Sequence, residues 1–219
     1  MIQPAFGLAE SAQALDIQSL AASYGPWTGI RSNHVVDSTG RFFGIDGSSR
    51  SISTTEDREL LLALRERAEL IVVDAATARL EQYRAPRSNT PLAIFSATGN
   101  FSNIPAVETS QLPIFLFTGD DSPRYATNQN VFAVSLNKRP FDGFLEWAKA
   151  QSINSILLEA GPTLSAIAFE AGVVSQSAVT RTGLSPDYDP ILLANPFDAR
   201  AKLVSLAIAP GASFSLWNH

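Results

Sequence analysis

The sequence predicts an α/β domain with a mostly parallel central sheet, helices around it and a C-terminal antiparallel hairpin. Three observations carry this expectation. Short apolar runs alternate with helical patterns along most of the 219 residues, which pairs strands in parallel through crossover helices. The runs lack in–out alternation, as expected where both faces of a sheet are covered. Near the end, segments 202–208 and 213–217 flank Pro210-Gly211, a tight antiparallel turn.

Residues 1–27 read as an N-terminal arm with one short helical candidate, 15–23, closed by Gly25-Pro26. Residues 28–219 read as a single domain, the size that one core supports. Segment 30–36 is the first strand of that domain. Thr54-Thr55-Glu56-Asp57 starts a helix, because a hydroxyl N-cap precedes acids in the first turn. Leu60, Leu61, Leu64 and Ala68 continue it at helical spacing. Segments 70–73, 92–95 and 114–117 are short apolar strands, and 131–134 is a weaker one. Segment 141–150 reads as a helix, 155–158 as a buried strand, 163–171 as a helix and 173–180 as a strand. Segments 30–36, 70–73, 92–95, 114–117, 155–158 and 173–180 are expected in one mostly parallel sheet, with the C-terminal hairpin antiparallel. Ligands of such sheets sit beyond the carboxyl ends of the strands. The loops after Val73, Phe95, Phe117 and Leu158 are therefore the places to look for function.

Composition narrows the function classes. The formal charge is −5, and no basic stripe suits a nucleic-acid backbone. There is no cysteine, which excludes disulfides, thiol nucleophiles and thiolate metal sites. The two histidines lack the acid spacing of a metal site. No apolar run approaches membrane length, and Met-Ile-Gln-Pro-Ala-Phe-Gly has no signal-peptide pattern. A cytoplasmic protein with a small-molecule substrate is expected.

Leu157-Leu158-Glu159-Ala160-Gly161-Pro162-Thr163-Leu164 is the most informative segment. A buried strand ends in a carboxylate, small residues follow, and proline enters the first turn of a helix. Free N–H groups at that helix end can hold an anion such as a pyrophosphate. A plain strand–turn–helix corner with Glu159 as a solvated cap explains the same residues.

This segment resembles the Glu-Gly-Gly-Pro-Thr-Leu signature of the reductase domain of bifunctional riboflavin-pathway enzymes, a relative of dihydrofolate reductase. The resemblance runs from about Tyr24 to Trp217. Gly25-Pro26-Trp27 with Ile30-Arg31-Ser32-Asn33 is similar to the opening of a stand-alone actinobacterial branch. Leu64-Arg65-Glu66-Arg67-Ala68-Glu69 resembles its Arg-X-X-Ala-Asp element, and Thr77-Ala78-Arg79-Leu80-Glu81-Gln82-Tyr83 its Thr-Val-Arg-X-Glu-Gly-Tyr. The resemblance implies a dihydrofolate reductase-like three-layer fold, NADPH as cofactor and hydride transfer to a sugar-linked pyrimidine or pterin. It implies catalytic roles for Asp37 and Glu159. Cofactor contacts would come from Asn33, Asp74, Ala76, Thr77, Ser96, Ala160, Gly161, Pro162, Thr163 and Leu164. Thr39 and Glu81 would touch the substrate, with Asn33 and Asp37 facing it. A homodimer is also implied, and the hairpin's Leu206, Ile208, Phe214, Leu216 and Trp217 look like an apolar edge in need of cover.

The departures fall on ligand-facing loops. Where the family has Ser-Leu-Asp-Gly, this chain has Asp37-Ser38-Thr39-Gly40, so Thr39 replaces the acid. Asp37, two residues earlier on an extended segment, would point to the same face. The family's Val-Gly-X-Gly-Thr is Val73-Asp74-Ala75-Ala76-Thr77, with an acid where a pyrophosphate would lie. Ala160 replaces a signature glycine, and Ser175-Gln176 replaces an Asp-Glu pair. A second reading follows: a homodimer that has lost catalysis and serves as a binding or structural protein.

The remaining candidates have plain explanations. His34 is expected as a satisfied strand side chain, His219 as an exposed terminal residue, and Ser96 as a turn serine. Thr118-Gly119-Asp120-Asp121 fits a solvated turn, and Arg65 and Arg67 are expected to cover the surface of their helix.

Overall fold

The computed structural model describes residues 1–8, 14–136, 140–185 and 194–219. The chain begins with β1 (Gln3–Phe6), α1 (Ile17–Ser23) and β2 (Gly29–Val36). A short 3-10 turn (Ser49–Ser51) precedes α2 (Thr55–Arg65), β3 (Leu70–Asp74) and α3 (Ala75–Leu80). Then follow β4 (Leu92–Phe95), α4 (Pro105–Thr109), β5 (Ile114–Thr118), β6 (Val131–Ser135) and α5 (Pro140–Ala150). The last elements are β7 (Ser155–Leu158), α6 (Pro162–Glu170), β8 (Val174–Thr182), β9 (Lys202–Ala209) and β10 (Ala212–Asn218). This is the predicted α/β class, with the C-terminal hairpin antiparallel. Among the described residues no helix is long and apolar enough to cross a membrane. The backbone groups into two compact units, Met1–Leu64 with Val174–His219, and Arg65–Val173.

In the first unit the strands run in the order β1-β9-β10-β8-β2. Only β2 and β8 are parallel; the other pairs are antiparallel. The arm does more than the sequence indicates, since its first residues pair with β9 as a strand. Four residues are too few to show a period, so only the pairing reveals β1. The hairpin is also unlike its expectation. Leu206, Phe214, Leu216 and Trp217 are buried within the chain, because β9 and β10 lie inside the strand order rather than at its edge.

Arg31 organises this unit's interior. It is 0 % exposed, and its Nη2 donates to the carbonyls of Tyr24 at 2.9 Å and Gly25 at 3.2 Å. Nε and Nη2 both donate to Gln176 Oε1, at 2.9 and 2.6 Å, and the guanidinium lies 4.2 Å over the Trp27 ring. Burial lowers its pKa to about 10. The Gly-Pro-Trp segment and the Arg31 strand, matched as sequence motifs, thus form one contact. His34 is a strand side chain, as expected, and it is buried with its ring 4.5 Å from Phe197. His219 is exposed as a terminal residue, as expected, but its imidazole is tucked against the chain. Its side chain is 8 % exposed, with Nε2 2.9 Å from Ser177 Oγ and Nδ1 3.4 Å from Asp198 Oδ2.

The second unit holds β7-β3-β4-β5-β6, all parallel. β4 and the first four residues of β3 are buried throughout, which explains their unbroken apolar runs. α5 packs an aromatic layer on these strands: Phe144 meets Phe95 and Phe117 edge-on, each at 5.2 Å between centroids. β6 is the edge, and its alternation is weak because Phe132 and Ala133 face solvent. α3 has six residues, too short for a periodic signal, and follows directly from the capping group that ends β3.

Thr54 caps α2 as predicted, its hydroxyl accepting from Asp57 N–H at 3.2 Å. Asp57 itself is buried and takes the Ser53 hydroxyl at 2.7 Å. Burial raises its carboxyl above the ordinary aspartate value, against the lowering pull of Ser53. A raised folded pKa means stability is complete below the unfolded value of about 3.9 and declines as pH rises through the folded value. Asp57→Asn should therefore melt higher than wild type at pH 7–8, with the gap closing towards pH 4. Melting curves that stay parallel across this range would contradict it.

Candidate functional site

The candidate site lies where β3 and β7 end in the second unit. Asp74 closes β3 with extended backbone and caps α3. Its Oδ1 accepts from Thr77 N–H at 2.8 Å, the ordinary capping bond. Its Oδ2 accepts from the Thr77 hydroxyl at 2.8 Å and from Gly161 N–H at 2.7 Å. Gly161 is the N-cap of α6, with Pro162 in the first turn. One carboxylate thus joins the starts of two helices, and the second bond set goes beyond what capping needs. Gly161 is required by close approach. A Cβ there would lie 2.5 Å from Thr77 Oγ1 and 3.2 Å from Asp74 Oδ2.

Glu159, two residues before, is 7 % exposed. Arg65 grips it in two bonds, Nε to Oε1 at 2.8 Å and Nη2 to Oε2 at 2.5 Å, and the Tyr83 hydroxyl donates to Oε2 at 2.8 Å. Burial works to lower the Arg65 pKa, but Glu159, with Tyr83 adding to it, outweighs burial and the guanidinium stands well above its ordinary value. Burial, then the Glu159 charge, raises the Tyr83 phenol well above its own. These partners leave Glu159 neither a solvated cap nor a group free for proton transfer; it is a brace. Arg65 is likewise not a surface cover for α2. A strand-end carboxylate next to buried residues needs a cation, and that was the available signal for Arg65. Tyr83 had no comparable signal, since nothing local marks its hydroxyl as a donor.

The other predicted residues are dispersed. Ala76, Pro162 and Thr163 are exposed, while Ala160 and Leu164 are buried. Glu81 is buried at the C-cap of α3. Ser96 is a turn serine whose Oγ accepts from Asn100 N–H at 3.2 Å. Asp120 also serves a turn, accepting from Ser122 N–H at 2.8 Å. Asn33, Asp37 and Thr39 belong to the first unit. Asn33 Oδ1 is buried without a hydrogen bond among the described residues. Asp37 does not sit on an extended segment. Gly40 N–H bonds the Asp37 carbonyl at 3.0 Å, and the carboxylate takes the Thr39 hydroxyl at 2.7 Å, Thr39 N–H at 2.8 Å and Arg41 N–H at 3.0 Å. The Thr39 hydroxyl foremost, then Arg41 N–H, hold its carboxyl below the ordinary range. That makes it a turn organiser and a poor proton donor.

Ser177, His219 and Asp198 also have the order of a nucleophilic triad. Ser177 is wholly buried, however, and its oxygen already accepts from Asn195 Nδ2 at 2.7 Å. The group is a strut that holds the loop at Asn195 to β8.

The Asp74 donors decide whether a dinucleotide diphosphate fits. Backbone N–H groups of this kind hold phosphate when they are open. Here Thr77 N–H, the Thr77 hydroxyl and Gly161 N–H are all held by a carboxylate, so a diphosphate does not fit on them.

The family model of the RibD C-terminal domain matches residues 39–181. No curated protein matches the sequence. Among solved structures, a pyrimidine reductase-like protein from Corynebacterium diphtheriae superposes with TM-score 0.70 at 19% identity, covering 93% of this chain and 98% of that one. A Thermotoga maritima diaminohydroxyphosphoribosylaminopyrimidine deaminase/5-amino-6-(5-phosphoribosylamino)uracil reductase gives 0.67 at 14%, over 92% of this chain and 59% of that one. The riboflavin biosynthesis reductase of Saccharomyces cerevisiae gives 0.58 at 11%, over 97% and 95%. These likenesses show the fold.

The brace generates a stability prediction. Removing one partner of a buried pair costs about 3–5 kcal/mol, and losing one neutral hydrogen bond about 1 kcal/mol. Glu159→Gln should lower the urea midpoint far more than Tyr83→Phe. Equal midpoints for wild type and Glu159→Gln would show that Glu159 bears no structural load.

Proposed function

The chain belongs to the RibD C-terminal domain family, and on that premise we propose that it is a reductase of the riboflavin-pathway pyrimidine or pterin type. The match over residues 39–181 is the observation that carries this reading. The substrate class is a heterocycle linked to a sugar, and NADPH is the proposed cofactor, bound weakly and with its diphosphate away from the Thr77–Gly161 turn. A dinucleotide of this kind would supply hydride to a C=O or C=N carbon, and the chain's part would be to orient the two flat partners. No step of the reaction is assigned to the Thr77–Gly161 turn, whose donors do not admit a diphosphate.

A second reading is favoured by the Asp74 contacts. In it the chain is a homodimer that keeps the reductase scaffold and binds a ligand without turning it over. A fold can persist while its site changes. One experiment separates the readings. The protein is titrated with an aminopyrimidine ribose phosphate and with a dihydropterin, and NADPH absorbance is followed in parallel. Heterocycle binding with heterocycle-dependent loss of NADPH supports the reductase. Binding without NADPH loss supports the silent protein. Absence of binding by either heterocycle contradicts both.

A further inference from the structure

We propose that Asp74 is a resident anion, a side-chain carboxylate that occupies the place of a ligand phosphate and excludes diphosphate dinucleotides from this turn in the wild-type protein. Three observations converge on this. First, the carboxylate takes three donors, two from the start of α3 and one from the N-cap of α6. A capping aspartate needs only Thr77 N–H; the bond to Gly161 spends a donor of the second helix. Second, the turn is closed sterically. At Gly161 the nearest atoms to a Cβ position are Thr77 Oγ1 at 2.5 Å and Asp74 Oδ2 at 3.2 Å. A phosphate oxygen therefore cannot take Gly161 N–H unless the Asp74 carboxylate releases it.

Third, nearby cations are engaged elsewhere. Arg65 is spent on Glu159. Arg79 of α3 donates from Nε to the Ser102 carbonyl at 3.0 Å and from Nη2 to the Asn100 carbonyl at 3.1 Å. A diphosphate beside Asp74 would meet like charge without either arginine to offset it. Ala76 adds a methyl group at a position that is exposed on the first turn of α3. The proposal rests on the chain's being a reductase-family protein. It concerns only the phosphate end of a ligand, so heterocycle binding can fail or succeed independently of it.

The test is calorimetry with inorganic pyrophosphate, NADPH and NADH on four proteins: wild type, Asp74→Ser, Asp74→Gly and Asp74→Gly with Ala76→Gly. Asp74→Ser keeps a capping hydroxyl without the charge, which guards against loss of α3. Thermal melting checks that each variant is folded. Wild type should bind pyrophosphate and both dinucleotides weakly, with dissociation constants in the millimolar range or above. Asp74→Ser should bind about tenfold tighter, and the double glycine variant tighter again, because charge and bulk are both removed. Wild-type binding of NADPH at low micromolar concentration, unchanged by Asp74→Ser, would overturn the proposal. Folded variants that bind no better than wild type would overturn it too, because the exclusion would then have another cause. Loss of heterocycle binding in every protein, with the phosphate difference intact, would instead contradict the proposed function alone.

Discussion

The buried ion pair between Arg65 and Glu159 is the constraint on which the second unit's strand ends depend. A carboxylate placed at the end of β7 and almost fully covered is unfavourable unless its oxygens are satisfied. Arg65, at the end of α2, and Tyr83, just past α3, satisfy both. Their positions tie three separate stretches of chain to one point. Because Glu159 N–H also bonds the Val72 carbonyl at 2.8 Å, the brace sets where β7 stops against β3. The turn that follows, Ala160-Gly161-Pro162, is thereby delivered to Asp74.

Asp74 completes what the brace begins. With both strand ends held, one carboxylate can reach the N–H groups of two helix starts, a short charge-assisted arrangement that is stronger than its neutral equivalent. A glycine at this position would leave the same donors open to a ligand. The change from open to self-occupied leaves the strand register intact: Val73 pairs with Ile94 and Asp74 itself with Phe95. That separation between scaffold and site explains how family membership and an altered phosphate turn occur in one chain.

Much of the fold was legible in the sequence because buried parallel strands are written as unbroken apolar runs. The segments at 70–73, 92–95 and 114–117 are the clearest cases, and Thr54 and Pro162 announced their helices through capping chemistry. β1 and α3 were not legible, being four and six residues long, below what a period can reveal. The site was legible only in part. Asp74, Thr77 and Gly161 do meet, but as partners of one another. Glu159 was read as exposed or catalytic because its partners lie 94 and 76 positions away, a distance that spacing rules do not reach. The motifs that resembled the reductase family turn out to share contacts. The Leu-Arg, Thr-to-Tyr and Leu-Glu segments each supply one member of the brace, and Gly-Pro-Trp and Arg31 form their own. Such motifs record structural contacts as readily as they record chemistry. Asp37 shows the converse, since its turn depends on Thr39 and on Arg41 N–H two residues further on, whereas strand alternation reads that segment as extended.

The claim that the phosphate turn is filled by the protein's own carboxylate is tested most directly by amide hydrogen exchange at Gly161. That N–H donates to Asp74 Oδ2 at 2.7 Å, and a hydrogen-bonded amide exchanges only when its bond opens. Gly161 should be protected in wild type and should lose much of that protection in Asp74→Ser, while Val72 and Leu158 in the neighbouring strands keep theirs. A Gly161 amide that exchanges freely in wild type, or whose protection is untouched by Asp74→Ser, would contradict the account.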